Sequence, residues 1–152
     1  MERPVIVNPP ELPAPVGFAH AVVARGAVYL GGQIGEGDTL VEQFDSAASR
    51  VLTALRAAGA EAEQLVSLVI YTTDIEGYRA ATKELGEAWR RHFGRHYPAI
   101  ALIGVSALFE PVSICQARSV VIHVVRNRSD ECFGKAPVLP AGSHLLTGIK
   151  SR

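Results

Sequence analysis

The residues of this sequence that could carry out chemistry occur in a few small groups, and each group also has a structural explanation. The largest group is basic and lies at the end of a predicted helix; it contains Arg90, Arg91, His92, Arg95 and His96. These side chains either bind an anion or complement the negative end of the helix dipole. The glycine-rich segment 31–37 lacks the lysine and the spacing of a phosphate-binding loop.

The two cysteines, Cys115 and Cys132, have a spacing that fits no metal motif, and they are too few for a disulfide scaffold. Cys115 falls in an apolar strand pattern and is predicted to be a buried, inert thiol. A chain with reduced thiols is expected in the cytoplasm. The residues from Met1 to Pro4 are not followed by the apolar core of a signal peptide.

The bulk composition indicates one globular domain without a nucleic-acid or membrane partner. The chain has 152 residues, of which 48% are hydrophobic. Its 15 basic and 15 acidic residues give a formal charge of zero, whereas a nucleic-acid surface needs a basic excess. No apolar run approaches the roughly 20 residues of a membrane helix. A near-neutral chain also has little charge repulsion to keep it monomeric.

The first part of the chain predicts an extended segment and then a hairpin. Residues 1–17 contain five prolines and should be extended and loop-like. Strands are expected at 18–23 and 27–30, joined by a turn at Arg25-Gly26.

Two helices are predicted. Thr39 and Glu42 match a capping box at the start of the first helix, and Gly59 is a plausible stop. The apolar face of this helix has helical spacing and consists of Val41, Phe44, Ala48, Val51, Leu52 and Leu55. Asp74 can cap the second helix, which should end at Gly94. Its apolar face consists of Tyr78, Ala81, Leu85, Ala88, Trp89 and Phe93.

The remaining strands complete an α+β fold. Segment 65–73 is rich in β-branched residues and reads as a central strand. Segment 99–105 follows Pro98 and is typical of a buried strand, and a last strand is expected at about 112–124. We therefore expect a folded domain over residues 1–125 and a weakly ordered tail over residues 126–152.

The element order β-β-α-β-α-β-β predicts a mixed sheet with both helices on one face. The other face of the sheet also contains apolar residues, since Val69 and Tyr71 alternate with buried-type positions. Such a face is expected to be covered by a partner chain.

The sequence resembles the Rid (YjgF) family of reactive-intermediate deaminases over about residues 8–124. The resemblance rests on several short motifs in a fixed order: Asn8-Pro9, the stretch 13–21, Leu30-Gly31-Gly32-Gln33-Ile34, the segment 66–73 followed by Asp74, and Tyr97-Pro98-Ala99 before a strand. No single motif is specific, but the set in this order is. The tail beyond residue 124 lies outside the family pattern.

This resemblance implies a chorismate-mutase-like fold and a homotrimer with ligand clefts between subunits. Known members hydrolyse imines and enamines, such as 2-aminoacrylate, to ketoacids and ammonia. They need no metal and no organic cofactor. The partner implied for this chain is therefore a small molecule in an inter-subunit cleft.

Some family site residues are kept. Phe18 stands where the family has a tyrosine, so the ring remains and the hydroxyl is lost. Gly31 and Gly32 match a turn whose backbone groups face the ligand. His20 lies near this group in the family layout. It could be an acid or base near neutral pH, or it could be a histidine that is hydrogen-bonded at the start of a strand.

The charged site residues of the family are replaced. Ile100 stands where the family has the arginine that grips a substrate carboxylate. Gln116 aligns with the glutamate that positions the attacking water, and Arg118 aligns with a second acidic residue. Gln116 can still hold a water but cannot take a proton. Arg118 either restores a cation to the site or forms a salt bridge across the trimer.

Three functions are compatible with these replacements. The first is a divergent imine or enamine hydrolase whose small reactive substrate is not a standard 2-iminoacid, with His20 and Gln116 as the candidate catalytic residues. The second is a non-catalytic trimer that binds a small molecule or a protein partner. The third is a cyclase or dehydratase recruited to a specialised biosynthetic pathway, with His20 as the acid or base.

Overall fold

The computed structural model describes residues 3–108 and 120–127, which form one mixed sheet packed against helices. The strands and helices of this part are, in chain order, β1 (Val5–Val7), β2 (Ala21–Ala24), β3 (Ala27–Leu30), β4 (Gln33–Ile34), α1 (Leu40–Ala57), β5 (Leu65–Thr72), α2 (Ile75–Ala80), α3 (Thr82–Phe93), β6 (Ala99–Gly104) and β7 (Val120–Asn127). A short 3₁₀ turn, Ala62–Gln64, precedes β5.

The spatial order of the strands is β1-β2-β3-β7-β5-β6, and β4 also pairs with β7. All pairs are antiparallel except β5 with β6, which is parallel. The buried faces of α1 and α3 join the buried residues of β3 and β5 in one core. The expected α+β architecture, with a mixed sheet and the helices on one of its faces, is confirmed.

The hairpin of β2 and β3 forms at the predicted turn. Arg25 and Gly26 have φ angles of 50° and 73°, the pair of positive values that a two-residue type I′ turn requires. Strand β2 is shorter than the predicted 18–23, because residues 18–20 bend away before the ladder begins.

The proline-rich segment is not wholly loop-like, as the sequence had suggested. Val5 to Val7 pair antiparallel with β2, in the register Val5↔Val23. These three β-branched residues lie between Pro4 and Pro9, so they keep the backbone N–H groups that a strand needs. The backbone is extended there, as expected, but the expectation of a loop was wrong over β1.

The first helix begins where the capping box placed it. Glu42 N–H donates to Thr39 Oγ1 at 3.2 Å, and the Thr39 N–H donates to Glu42 Oε2 at 2.9 Å. The helix stops at the predicted glycine, because Gly59 has a φ of 76°.

The second predicted helix is divided into α2 and α3. Asp74 caps α2 as expected, since its Oδ1 accepts from the Gly77 N–H at 2.9 Å. The Thr82 hydroxyl donates to the Arg79 carbonyl at 2.9 Å, and such back-bonding bends a helix. This contact explains a break that the apolar periodicity did not show.

Strand β6 is at the end of the sheet and is not buried, contrary to the sequence-based expectation. Among the described strands it pairs only with β5, in the register Leu68↔Ile100. All six of its residues are exposed in the single chain, including Ile100 at 43% and Ile103 at 42%. The apolar composition of β6 is therefore that of an uncovered edge.

Strand β7 continues to Asn127, which pairs with Ala27. The sheet therefore extends two residues past the predicted domain boundary at residue 125. Residues 109–119 and 128–152 lie outside the described part, and with them the predicted start of this strand and the predicted tail.

Asp45 on α1 links the two helices through the basic cluster. Its Oδ1 accepts from Arg91 Nη2 at 2.7 Å and from His92 Nε2 at 2.9 Å. His96 Nε2 donates to the Leu65 carbonyl at 2.8 Å. Three of the five basic residues are thus engaged within the chain, which favours their structural interpretation.

The Asp45 contacts predict that stability falls in acid. Burial opposes ionisation of the Asp45 carboxyl, but the hydrogen bonds from Arg91 and His92 outweigh it and lower its pKa. A lowered pKa stabilises the fold above the unfolded value of about 3.9, and this contribution is lost as the pH falls through the folded value. Because the Asp45 side chain is 39% exposed, we expect Asp45→Asn to cost at most about 1 kcal/mol at neutral pH.

Urea unfolding at several pH values measures this difference. Asp45→Asn should have a flatter pH dependence than wild type below about pH 4. Glu87→Gln removes the same charge from an exposed position of α3 and serves as the control. An equal loss of stability in both variants would contradict the assignment.

Candidate functional site

One cleft of about 530 Å³ contains three of the predicted site residues. It is lined by Pro13, Ala14, Val16, Phe18, Gly31, Gly32 and Ile34. Phe18 is 54% exposed, so its ring forms an open wall of the cleft. The structure therefore brings Phe18, Gly31 and Gly32 together, as the resemblance implied.

The cleft depends on a close approach between two backbone segments. The Gly31 N–H donates to the His20 carbonyl at 2.9 Å. A Cβ atom at Gly31 would lie 2.5 Å from the Ala19 carbonyl oxygen, which is too close for any real side chain. Glycine is needed here because the Ala19 backbone occupies the space of a side chain.

Both peptide groups of Gly31 make hydrogen bonds within the protein. Its N–H donates to His20, and its carbonyl accepts from Gln33 Nε2 at 3.0 Å. Exposed Gly32 is the member of the pair that lines both the main cleft and a smaller cavity behind it. Gly31 shapes the cleft, and Gly32 is placed to present a peptide group to it.

His20 lies directly behind Phe18 and is only 4% exposed. Its Nε2 donates to the Pro13 carbonyl at 2.8 Å, and this partner fixes the tautomer because a carbonyl can only accept. The Nδ1 atom then accepts from Gln33 Nε2 at 3.4 Å. The rings of Phe18 and His20 pack edge to face, with their centroids 5.2 Å apart. This is the geometry of a hydrogen-bonded histidine at the start of a strand.

A cavity of about 90 Å³ connects His20 to the cleft. It is lined by Pro13, Phe18, His20, Gly32, Gln33, Ile34 and Arg50. Four of these residues (Pro13, Phe18, Gly32 and Ile34) also line the main cleft, so the cavity lies between His20 and the cleft.

Sequence reasoning assigned no role to Gln33 or Arg50. The Gln33 amide links His20 to the Gly31 carbonyl. Arg50 Nη1 donates to the Ile34 carbonyl at 3.0 Å, and its Nη2 pairs with Glu36 at 2.5 Å. Arg50 lies three and four residues from the apolar positions Ala47 and Ala54, so the helical spacing places it on their side of the helix. This spacing was the signal in the sequence that could have identified it.

Ile100 is not in this cleft. It lies on β6, three strands from β3 in the sheet, or roughly 14 Å at the usual strand spacing. It lines a separate pocket of about 190 Å³ between β5, β6 and the helices. The lining residues are Phe44, Ile70, Tyr78, Thr82, Leu85, Gly86, Trp89, Tyr97 and Ile100. None of these residues carries a charge.

Four residues considered in the sequence analysis lie outside the described residues: Gln116, Arg118, Cys115 and Cys132.

Within residues 3–108 and 120–127, no group of three or more His, Cys, Asp or Glu side chains could hold a metal ion. In the same part of the chain, no helix has both the length and the hydropathy to cross a membrane.

Comparison with known proteins decides the family. The family model described as Endoribonuclease L-PSP matches residues 10–114. A RutC family protein from Aquifex aeolicus is 33% identical over 112 residues, a match that covers 67% of this chain and 86% of that protein. The chain belongs to the Rid/YjgF family.

Solved structures of Rid/YjgF proteins share the fold. Rv2704 from Mycobacterium tuberculosis, a member of the YjgF/YER057c/UK114 family, is 29% identical with a TM-score of 0.66. That match covers 82% of this chain and 99% of the Rv2704 chain. TdcF of E. coli, solved with bound serine, is 18% identical with a TM-score of 0.67, over 82% of this chain and 99% of its own. Gln116 and Arg118 lie beyond the range that the family model matches.

The close approach at Gly31 predicts that this position of the Rid/YjgF chain tolerates no side chain. Gly31→Ala should destabilise the fold by about 1–3 kcal/mol, because the Ala19 backbone has to move. Gly86→Ala is the control, since a Cβ there meets only Arg90 Nη1 at 3.7 Å and alanine favours a helix. Thermal unfolding compares the two, and an equally stable Gly31→Ala variant would contradict this account.

Proposed function

We propose that this protein is a divergent Rid-type hydrolase of a small reactive imine or enamine that is not a standard 2-iminoacid. Membership of the Rid/YjgF family supports a Rid-type role. The pocket at Ile100 supports the choice of substrate. A carboxylate placed against its uncharged lining would lose hydration without gaining a charged hydrogen bond from any lining side chain.

We propose further that the complete site forms between subunits of a homotrimer. Within one chain, Ile100 lies at one end of the sheet and the Phe18 cleft lies beside β3. Two such parts form one site only when the β6 edge of one subunit meets the cleft of another. The exposed apolar side chains of β6 (Ile100, Leu102 and Ile103) support such a contact.

The proposed reaction needs an oriented water and no resident cofactor. Water adds to the carbon of the C=N bond while the nitrogen gains a proton. In the resulting carbinolamine, a proton passes from the hydroxyl group to the amino group by way of water, the C–N bond breaks to release ammonia, and the C=O bond forms. An enamine first shifts a proton to carbon to become the imine.

In this scheme, the Gly32 peptide and the Gln116 carboxamide hold the water. Neither group is a base, so the rate gain comes from orientation. Phe18 forms the opposite wall of the site, and Arg118 is the remaining candidate for a cation near the substrate.

His20 is proposed to act mainly by position. Its two ring nitrogens hold Pro13 and Gln33, and its ring supports Phe18. A direct acid or base role, as in the cyclase or dehydratase alternative, requires one of these hydrogen bonds to open.

A second candidate is a non-catalytic trimer that binds an uncharged metabolite. Two observations favour it: Ile100 stands where the resemblance places the family arginine, and both ring nitrogens of His20 are engaged in hydrogen bonds. TdcF was solved with serine, an amino acid with a carboxylate, so small-molecule binding by this fold has a precedent.

The zero net charge weighs against carrying the endoribonuclease name of the family model over to this chain.

Two imines that differ only by a carboxylate test the substrate class. An amine oxidase converts 2-phenylethylamine to a neutral imine, and an amino-acid oxidase converts phenylalanine to the corresponding 2-iminoacid. We expect wild type to accelerate ammonia release from the neutral imine and to leave the 2-iminoacid at the buffer rate. Acceleration of neither imine would leave the non-catalytic binder as the better reading, and equal acceleration of both would contradict the proposed substrate.

The substitution Ile100→Arg should restore the enzyme's preference for substrates that carry a carboxylate. A charge-assisted hydrogen bond contributes about 1.5–3 kcal/mol, so kcat/KM for the 2-iminoacid should rise roughly 10-fold to 100-fold. Ala80→Arg adds the same charge at an exposed position outside the pocket and should change neither rate. A similar gain in both variants would mean that the effect is not specific to the site.

Light scattering tests the trimer. We expect a mass three times the 16.2 kDa of the chain. Leu102→Asp, which places a charge on the exposed β6 edge, should shift the protein toward monomer and abolish turnover together. A monomeric wild type would remove the inter-subunit site.

A further inference from the structure

The pocket at Ile100 is walled by four aromatic rings, those of Phe44, Tyr78, Trp89 and Tyr97. Trp89 and Tyr97 are stacked, with their centroids 5.7 Å apart and their planes within 5° of parallel. Phe44 meets Tyr78 edge to face, with centroids 6.5 Å apart. The pocket is thus a space of about 190 Å³ with flat apolar walls.

The walls are held in place by the fold. Trp89 Nε1 donates to the His96 carbonyl at 3.1 Å, which fixes the indole plane, and Trp89 is 7% exposed. His96 is itself tied to the Leu65 carbonyl. Burial raises the pKa of the Tyr78 phenol, so this ring stays uncharged at neutral pH. Trp89 therefore does not have to be ordered before a ligand binds, whereas Tyr97 is 63% exposed.

One face of helix α3 lines the pocket and leaves room there for a ligand. Thr82, Leu85, Gly86 and Trp89 lie three or four residues apart on α3 and all line the pocket. Gly86 is inside the helix, where glycine is unfavourable, and a Cβ there would meet no atom nearer than 3.7 Å. Packing does not demand a glycine at this position. Its missing side chain leaves room next to Arg90 Nη1, the neighbour that a Cβ would meet at 3.7 Å.

We propose that this pocket binds the side group of the substrate, and that this group is uncharged, apolar and of the size of a single ring. The proposal rests on the hydrolase function above, because it assigns to that same site a substrate class of neutral, ring-bearing imines or enamines. Ile100 forms the rim, where it separates the ring in the pocket from the C=N bond in the cleft. The lining side chains offer a carboxylate no charged partner, and their aromatic rings favour a ring.

Trp89 allows this binding to be measured without any reaction. It is the single tryptophan of the chain, so the intrinsic emission of the protein reports on one wall of the pocket. Benzyl alcohol and benzoate carry the same ring, and only benzoate is charged at neutral pH. We expect benzyl alcohol to change the Trp89 emission saturably, and benzoate to bind at least tenfold more weakly.

Two neighbouring substitutions provide a matched pair. Gly86→Leu places a side chain along the pocket wall and should abolish the saturable response to benzyl alcohol. Glu87→Leu introduces the same side chain at the next, exposed position and should leave the response unchanged. Circular dichroism and light scattering confirm that both variants are folded and have the mass of wild type. Ile100→Arg should reverse the preference, so that benzoate binds more tightly than benzyl alcohol.

The outcomes separate this inference from the function on which it rests. Saturable binding that Gly86→Leu removes, without turnover of any imine, supports the pocket and overturns the hydrolase. Turnover of the neutral phenylethyl imine that Gly86→Leu leaves unchanged, with no Trp89 response, supports the hydrolase and overturns the pocket. Benzoate binding as tightly as benzyl alcohol in wild type also overturns the proposed ligand class.

Discussion

The parallel pairing of β5 with β6 is the constraint on which this half of the molecule depends. Parallel neighbours cannot be joined by a tight turn, so the chain has to cross the sheet as α2 and α3. That crossover places Tyr78 and Trp89 over β6, the strand at the end of the sheet. The same pairing aligns Ile100 with Leu68, whose side chain is fully buried under the helices. Both the aromatic wall and the aliphatic rim of the pocket follow from one strand pairing.

Local signals in the sequence predicted their structures well. The Arg25-Gly26 turn, the Thr39 capping box and the Asp74 cap each depend on atoms within about four residues, so neighbouring residue types are enough to specify them. The family motifs also identified Phe18, Gly31 and Gly32 as residues of one cleft. Apart from β1, β4 and the division between α2 and α3, the element types and their order could therefore be predicted from the sequence.

Long-range pairing decided what the sequence did not reveal. An apolar run such as β6 has the same composition in the centre of a sheet as at its edge, so its exposure depends on which strands pair. For the same reason, the distance between Ile100 and the Phe18 cleft became visible only with the strand order. Gln33 was missed because its role comes from two contacts, with His20 and with the Gly31 carbonyl, that residue type alone does not suggest.

The two edge strands of the described sheet, β1 and β6, differ in whether they prevent pairing with strands of other chains. Strand β1 is three residues long and lies between prolines, which prevents it from templating further strands. Strand β6 is twice as long, regular and without a charged side chain. An edge of this kind accepts a strand from any neighbour, ordered or not. The proposed trimer contact and aggregation would therefore compete for the same edge.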